Sequence, residues 1–266
     1  MQLCLVVLLI LVAICHGKST NTPKDDPNKM DAGLKEDSAC KGKLCPVNKS
    51  NIKPRSCVDH LKNGANRCGY YKIYDTVGNG FTVYCDLETE PGAAWTLVVS
   101  WSVKNKGFSS FRSSPLSVND PVNENSPNWF LYRLTSDRMK SLKHVSTHWR
   151  ATCSFDKYGI NQYKDYVRGQ FAAADILAFL GSGICLKTEL VNIRGHIGIH
   201  KTARFWQVVG TYFLHIDSAS KGCQFDPTVS SVSSEDNFGF YDRTNPKFTC
   251  TTNEDSTTQW WFGGYQ

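Results

Sequence analysis

The chain has 266 residues, a formal net charge of +6 and a pI near 8.7, with 41% hydrophobic, 12% aromatic and 20% charged residues. Its lysines and arginines are scattered among acids, so the balance argues against a nucleic-acid binder and against a polybasic membrane patch.

The apolar stretch from Leu3 to Ile14 is too short to cross a bilayer, which takes roughly 20 residues, and suits the core of a secretion signal. Small Cys15 and Gly17 sit where cleavage after Gly17 needs them, so residues 1–17 read as a signal peptide. The expected location is secreted and extracellular, where disulfides persist. Of the 11 cysteines, Cys4 and Cys15 leave with the signal, and nine remain: Cys40, Cys45, Cys57, Cys68, Cys85, Cys153, Cys185, Cys223 and Cys250. An odd number leaves one free thiol or one bridge to another chain, which opens the way to a disulfide-linked homodimer. Residues 18–56 are polar and nearly free of branched apolar and aromatic side chains, too poor in apolar surface to offset ordering entropy, and read as a flexible tail or linker. Within it, Asn48-Lys49-Ser50 is a glycosylation sequon.

Residues 57–266 carry aromatics throughout, with no second linker and no internal repeat, and read as one globular domain. Tyr70–Asp75 and Phe81–Leu87 are β-rich runs around Thr-Val-Gly-Asn-Gly, a hairpin whose Gly-Asn-Gly supplies positive φ angles. Trp95–Val103 is a third strand after the Pro91-Gly92 turn. Arg133–Lys143 predicts a helix capped by Thr135 or Ser136, and Gln170–Leu180 a second helix stopped by Gly181. VNIRGHIGIH, FWQVVGTYFLHI and KFTC read as strands. Strands and short helices without regular alternation suggest an α+β fold.

Cys85 at the end of the second strand raises three readings: a reactive thiol, a metal ligand or half of a disulfide. Folding the hairpin brings it near Cys57, and closing a loop of that length contributes roughly 3–4 kcal/mol. The surrounding pattern is a cysteine, then Gly69-Tyr70-Tyr71-x-Ile73-Tyr74, then Phe81-x-Val83-Tyr84-Cys85-Asp86-x-Glu88-Thr89, then Trp95-Thr96-Leu97-Val98. It resembles the start of a fibrinogen C-terminal-like domain, and the likeness covers residues 57 to about 101. The resemblance implies a structural disulfide between Cys57 and Cys85. It departs at Gly92-Ala93-Ala94, where the family has consecutive glycines. Nearer the C-terminus, Cys223 and Cys250 followed by Trp260-Trp261-Phe262 echo the family's late disulfide and aromatic pair with a different spacing. The family's aspartate-rich calcium loop is not recognisable. Calcium, if bound, would draw on Glu235-Asp236-Asn237, Asp242 or Glu254-Asp255, of which Asp236 and Asp242 are the metal candidates.

Two histidine pairs stand four apart, His144 with His148 and His196 with His200, but neither encloses a metalloprotease glutamate, and on a strand such a pair is too far apart to share one ion. Gly181-Ser182-Gly183 is too short for a nucleophile elbow, and no phosphate or dinucleotide fingerprint is present. A non-enzymatic protein is therefore expected. Asn128–Tyr132, Phe205-Trp206 and Trp260-Trp261-Phe262 could stack on sugar rings, although core packing is the commoner fate of such residues. Adjacent Trp260 and Trp261 on a strand would point to opposite faces, one buried and one exposed as a ligand platform. The expected function is recognition of glycans or extracellular partners through a fibrinogen-like, lectin-like domain. The alternative is a structural matrix or adhesion protein. The resemblance extends to skeletal organic matrix proteins, so biomineral association would be a scaffolding role.

Overall fold

The structure, a computed structural model, describes residues 53–219 and 221–266. The expected signal peptide, most of the tail, Asn48, Cys40 and Cys45 lie outside the described residues. After a short helix α1 (Cys57–Lys62), the predicted hairpin forms as β1 (Gly69–Tyr74) and β2 (Gly80–Asp86), with Tyr74 opposite Gly80 and Gly69 opposite Cys85. In its turn only Gly78 uses a positive φ, of 87°. The Asp75 carboxylate does the rest, accepting from the backbone N–H groups of Val77 and Asn79, an Asx turn that closes the loop locally. Next come β3 (Ala93–Ser102), α2 (Ser109–Arg112), β4 (Leu131–Arg133) and α3 (Ser136–Lys143), whose cap is Thr135, accepting from Arg138 N. The chain continues through β5 (His148–Cys153), α4 (Phe155–Tyr158), β6 (Tyr166–Gln170), β7 (Gly181–Lys187), β8 (Leu190–Ile193) and β9 (His196–Ile199). It ends with β10 (Thr202–Val208), β11 (Tyr212–Asp217), β12 (Asp236–Asn237) and β13 (Thr257–Tyr265).

These strands make two sheets. The larger runs β1-β2-β3-β13-β5-β6-β8-β9 with β4 attached to β3, and the smaller runs β12-β11-β10-β7. Strands dominate, and among the described residues the longest helix is the 8-residue α3. Trp101 and Trp149 of the large sheet meet Phe213 and Phe205 of the small one at ring-centroid distances of 5.2 and 5.9 Å. That contact is the core between the sheets.

Several sequence expectations change. Gln170–Leu180 is not helical. Its carbonyls are claimed by side chains instead: Trp149 Nε1 donates to Ala174 O, and the buried Gln207 amide donates to Ile176 O and Phe179 O. VNIRGHIGIH is a hairpin rather than one strand, turning at Arg194-Gly195 with φ of 54° and 87°. FWQVVGTYFLHI likewise folds back on itself around Gly210, with φ of 73°. KFTC holds a 3-10 turn at Thr249–Thr251, because the Asp165 carboxylate takes both the N–H and the hydroxyl of Thr249.

Disulfides join Cys57 to Cys85, Cys153 to Cys250 and Cys185 to Cys223, and Cys68 is oxidised as well. Cys223 and Cys250 are thus bridged, but to different partners. The late bridge reaches back to β5 instead of closing a C-terminal loop. All the described cysteines are in disulfides, so no free thiol lies among the described residues.

Trp260 and Trp261 are both fully buried. They sit on β13 between β3 and β5, and their rings are covered by packing: Trp260 meets Trp149 and donates to Phe238 O, while Trp261 meets Trp129 and Phe155. Trp261 packs against a buried charge. The Arg150 guanidinium lies 4.9 Å from the Trp261 ring and 4.6 Å from that of Trp95, donating to Asp86 Oδ2 at 2.5 Å and Glu90 Oε1 at 3.1 Å. Glu90 also accepts from Tyr166 OH at 2.5 Å and Tyr265 OH at 3.1 Å. Breaking such a pair strands unpaired buried charge, which costs about 3–5 kcal/mol. Arg150→Met should lose that much unfolding free energy in non-reducing urea denaturation. A loss within about 0.5 kcal/mol, the range of an ordinary surface change, would show that the cluster is not load-sharing.

Candidate functional site

The small sheet carries the site. Along β10, Ala203, Phe205 and Gln207 turn inward and Trp206 outward, the period of two expected of a half-buried strand. His215 lies directly opposite Trp206 across the β10–β11 ladder, and Asp236 opposite Asp217 across β11–β12. Together with Tyr212, Ser234, Phe240 and Asp242 they line a cleft of about 240 Å³.

Its aromatic wall is ordered. The His215 ring is nearly parallel to those of Trp206 and Phe240, with centroids 6.4 and 5.2 Å away, and Tyr212 stands edge-on to all three. Such edge-to-face and offset arrangements suit ring quadrupoles. Trp206 Nε1 is buried without a hydrogen-bond partner. Gly183, at a φ of 68°, leaves room beneath this tryptophan, because a Cβ there would meet the Trp206 ring at 3.0 Å.

The opposite wall is a strained loop. Phe238, Phe240 and Tyr241 have φ of 63°, 64° and 55°, a region that costs a non-glycine residue about 1–3 kcal/mol and persists only when its surroundings impose it. Here three contacts impose it. Trp260 Nε1 donates to Phe238 O at 2.9 Å, the Tyr241 and Thr258 hydroxyls share a 2.6 Å hydrogen bond, and Gly239 passes so close to Leu214 O that a Cβ would sit 2.0 Å from it. From the far side, Arg112 lies 5.0 Å over the Phe240 ring and pairs with Asp242 at 3.1 Å. Arg112 is placed by buried Arg133, which donates to the carbonyls of Ser110, Ser114, Pro115 and Val118 and so fixes the loop that carries α2.

Burial pushes the Asp236 carboxyl up to about 7; the Arg243 backbone N–H opposes the rise, and nearby Asp217 and Asp242 add to it. Burial pushes His215 the other way, down to about 4. Its Nε2 is 3.6 Å from Asp236 Oδ1, a contact made by a neutral imidazole at neutral pH rather than by an ion pair.

The metal candidates therefore share one cleft but have protein partners. Asp236 Oδ2 accepts from Arg243 N and Asp242 engages Arg112, and among the described residues no group of three or more histidine, cysteine, aspartate or glutamate side chains is arranged to hold an ion. Trp260 supports the cleft from behind and touches no solvent, which corrects its expected place as a ligand platform, and Trp261 is buried beside Arg150. Of the histidine pairs, His196 Nε2 contacts Val229 O and His148 contacts Glu189. A larger groove of about 660 Å³ lies between the β1–β2 turn and α3, but no phenylalanine, tyrosine or tryptophan lines it.

Sequence reasoning named Trp206, Asp236 and Asp242 and missed Tyr212, His215, Asp217 and Phe240. The missed signal was Gly210. Reading it as a turn folds FWQVVGTYFLHI in two and sets His215 beside Trp206.

Residues 53–113 match the family of fibrinogen beta and gamma chains, C-terminal globular domain. The chain is also 31% identical over 81 residues to veficolin-1 of Varanus komodoensis, a stretch that covers 26% of this chain. The chain spans only about a third of that relative's length, 35%. These matches support a fibrinogen-related domain, with the likeness carried by the N-terminal subdomain and the Cys57–Cys85 bridge. The cleft residues from Trp206 to Asp242 lie outside the matched region.

Asp236 and His215 give opposite pH arms. Asp236 is raised above its ordinary 3.8, so its contribution to stability is full below pH 3.8 and lost as pH climbs to about 7. His215 is depressed from 6.5, so its contribution is present above pH 6.5 and lost as pH falls to about 4. Replacing Asp236 with asparagine removes the first arm alone. The wild-type minus Asp236→Asn unfolding free energy should fall as pH rises between 3.8 and about 7, with a slope of up to about 1.4 kcal/mol per pH unit. A flat difference from denaturation at stepped pH would place the Asp236 carboxyl in the ordinary range.

Proposed function

We propose that this is a secreted, non-enzymatic recognition protein that binds glycans through the cleft between β10, β11, β12 and the Phe238–Tyr241 loop. One observation carries the reading: a cleft that sets aromatic rings beside carboxylates. Ring faces suit the C–H face of a pyranose, and carboxylates accept hydrogen bonds from vicinal hydroxyls. Its size, below the roughly 300–1,000 Å³ of pockets for drug-sized ligands, suits one terminal sugar residue. The likeness to a ficolin-like protein supports recognition in place of catalysis. Secretion is supported by the disulfides, which persist in oxidising compartments. Among the described residues no helix is long and apolar enough to cross a membrane.

A second reading, a cross-linked matrix or adhesion module, is favoured by the cysteine count. The described cysteines are all oxidised, so the odd one among the nine is sought at Cys40 or Cys45. Under that reading, non-reducing electrophoresis of the secreted protein shows a dimer that reduction or a Cys40→Ser, Cys45→Ser variant abolishes. A monomeric band before reduction overturns it.

A glycan array probed with calcium and with EDTA tests the first reading. Binding to one coherent class of sugar is expected, weakened at least about tenfold, or about 1.4 kcal/mol, by Trp206→Ala. Silence under both conditions, or binding that Trp206→Ala leaves unchanged, removes the cleft from the function.

A further inference from the structure

Among the described residues, every sheet edge but one is blunted. At β1, Tyr74 N already donates to Pro54 O, and β4 is three residues long with Val122 bridged to it. In the small sheet β12 has two residues, while β7 is kinked at Gly183, where φ is 68°, and is tied to the segment beyond β11 by Cys185–Cys223. Such devices keep open strands from adding to one another. β9 has none of them. It stays in unbroken register with β8, carries no lysine, arginine, carboxylate or proline, and leaves Ile197 and Ile199 each 63% exposed. Its free side is also set for pairing. The two-residue Arg194-Gly195 turn makes Ile193 and His196 a hydrogen-bonded pair, and at the other end His200 N donates to Glu189 O at 2.9 Å. Alternation between those ends makes Val191 and Gly198 a bonded pair too, so the N–H and C=O groups of Ile197 and Ile199 face away from β8. No other backbone group among the described residues bonds to them. The two isoleucines leave the sheet on one face, and Gly198 lies on the other, where a Cβ would meet the Phe225 ring at 2.8 Å.

We infer that β9 is the contact through which two copies of this chain associate, antiparallel about a two-fold axis at Gly198. The sequence favours a second copy over any other strand, because His196-Ile197-Gly198-Ile199-His200 reads the same in both directions. Antiparallel pairing about Gly198 sets Ile197 against Ile199 of the second copy and Ile199 against its Ile197, and each pair exchanges two backbone hydrogen bonds. Every outward-facing group of both isoleucines is then used. Their four side chains share one face as a β-branched cross-strand set withdrawn from water. The neighbouring registers with the same bonding pattern set an isoleucine against Gly195 or Lys201 instead, so the hydrophobic match selects the one centred on Gly198. In that register Lys201 falls opposite Gly195 of the second copy, and no like charges meet. His200, at a φ of 50°, ends the extended run, so the shared ladder is short and the association weak and reversible. This contact is independent of what the cleft binds, and of any disulfide through Cys40 or Cys45. It doubles whatever site the chain carries, which is the condition for avidity.

The test is sedimentation velocity of the whole secreted protein from about 5 to about 500 µM, with the mass of the covalent unit taken from non-reducing electrophoresis. The sedimenting mass is expected to rise toward twice that unit with concentration. Ile197→Lys or Ile199→Pro should weaken association at least about tenfold, or about 1.4 kcal/mol, and leave the non-reducing band as it was. Both changes spare the fold: Ile197 is exposed, and the Ile199 N–H faces away from β8, so proline there removes no bond of that ladder. Hydrogen exchange on the unmodified chain locates the contact, since the Ile197 and Ile199 amides should slow as concentration rises. A mass that stays at the covalent unit throughout overturns the inference. So does association that both variants leave unchanged, or that rises while those two amides stay unprotected, because the contact then lies elsewhere. Protection of the two amides without association overturns it as well, since the edge is then filled from within the same chain.

Discussion

A guanidinium with no access to water ties together three stretches of this chain that are distant in sequence. Arg150 on β5 meets Asp86 at the end of β2 and Glu90 in the following turn, while Tyr166 and Arg168 on β6 and Tyr265 on β13 also engage Glu90. The Trp95 and Trp261 rings flank the charge and exclude solvent. An arginine in such a place is tolerable only when every partner is present, because desolvating one ion costs several kcal/mol. The N-terminal hairpin, the central strands and the last strand therefore have to dock together. The Cys57–Cys85 bridge holds the hairpin side of this junction, and Cys153–Cys250 clamps the end of β5 to the segment that leads into β13.

The same last strand reaches the cleft. Trp261 is committed to Arg150, and its neighbour Trp260 uses its indole N–H on Phe238 O, while Thr258 engages the Tyr241 hydroxyl. These contacts hold a loop whose backbone would not choose positive φ at Phe238, Phe240 and Tyr241. Strain of this kind is sustained by the rigidity behind it. The buried core of the large sheet thus presents Phe240 and Asp242 to the small sheet, with Trp260 holding the cleft loop from behind.

The hairpin was legible in the sequence because its signals are local: alternation, a Gly-rich turn and a cysteine at each end. The capped helix after Thr135 was legible for the same reason. Gln170–Leu180 was not, since its helix-favouring alanines and leucine are overridden by Gln207 and Trp149, which take its carbonyls from elsewhere in the fold. Asp86 stood in plain view inside the motif, but its partner Arg150 is 64 residues away and carries no local mark. Trp260 and Trp261 promised one exposed face only on the assumption of an edge or half-covered strand. Packing removes it: Trp149 and the Phe238 loop cover Trp260, and Trp129 and Phe155 cover Trp261. The cleft failed for a similar reason: Trp206, Asp236 and Asp242 were visible singly, whereas their proximity depends on β11 pairing with both β10 and β12.

The match to the family model ends at residue 113, and apart from Arg112 the groups that build the cleft lie beyond it. Fold and function are therefore separable here: the matched subdomain explains why the hairpin and its disulfide form, and it says nothing of what the small sheet binds. That part has to be read from its own chemistry. Asp236 and His215 are each shifted by burial, in opposite directions, so between pH 4 and 6.5 the folded pair holds one proton on the carboxyl while the unfolded pair holds one on the imidazole. Equal proton counts mean that this pair adds no slope to stability over that range. Two strongly perturbed groups can thus be kept in one cleft without making the fold acid-labile.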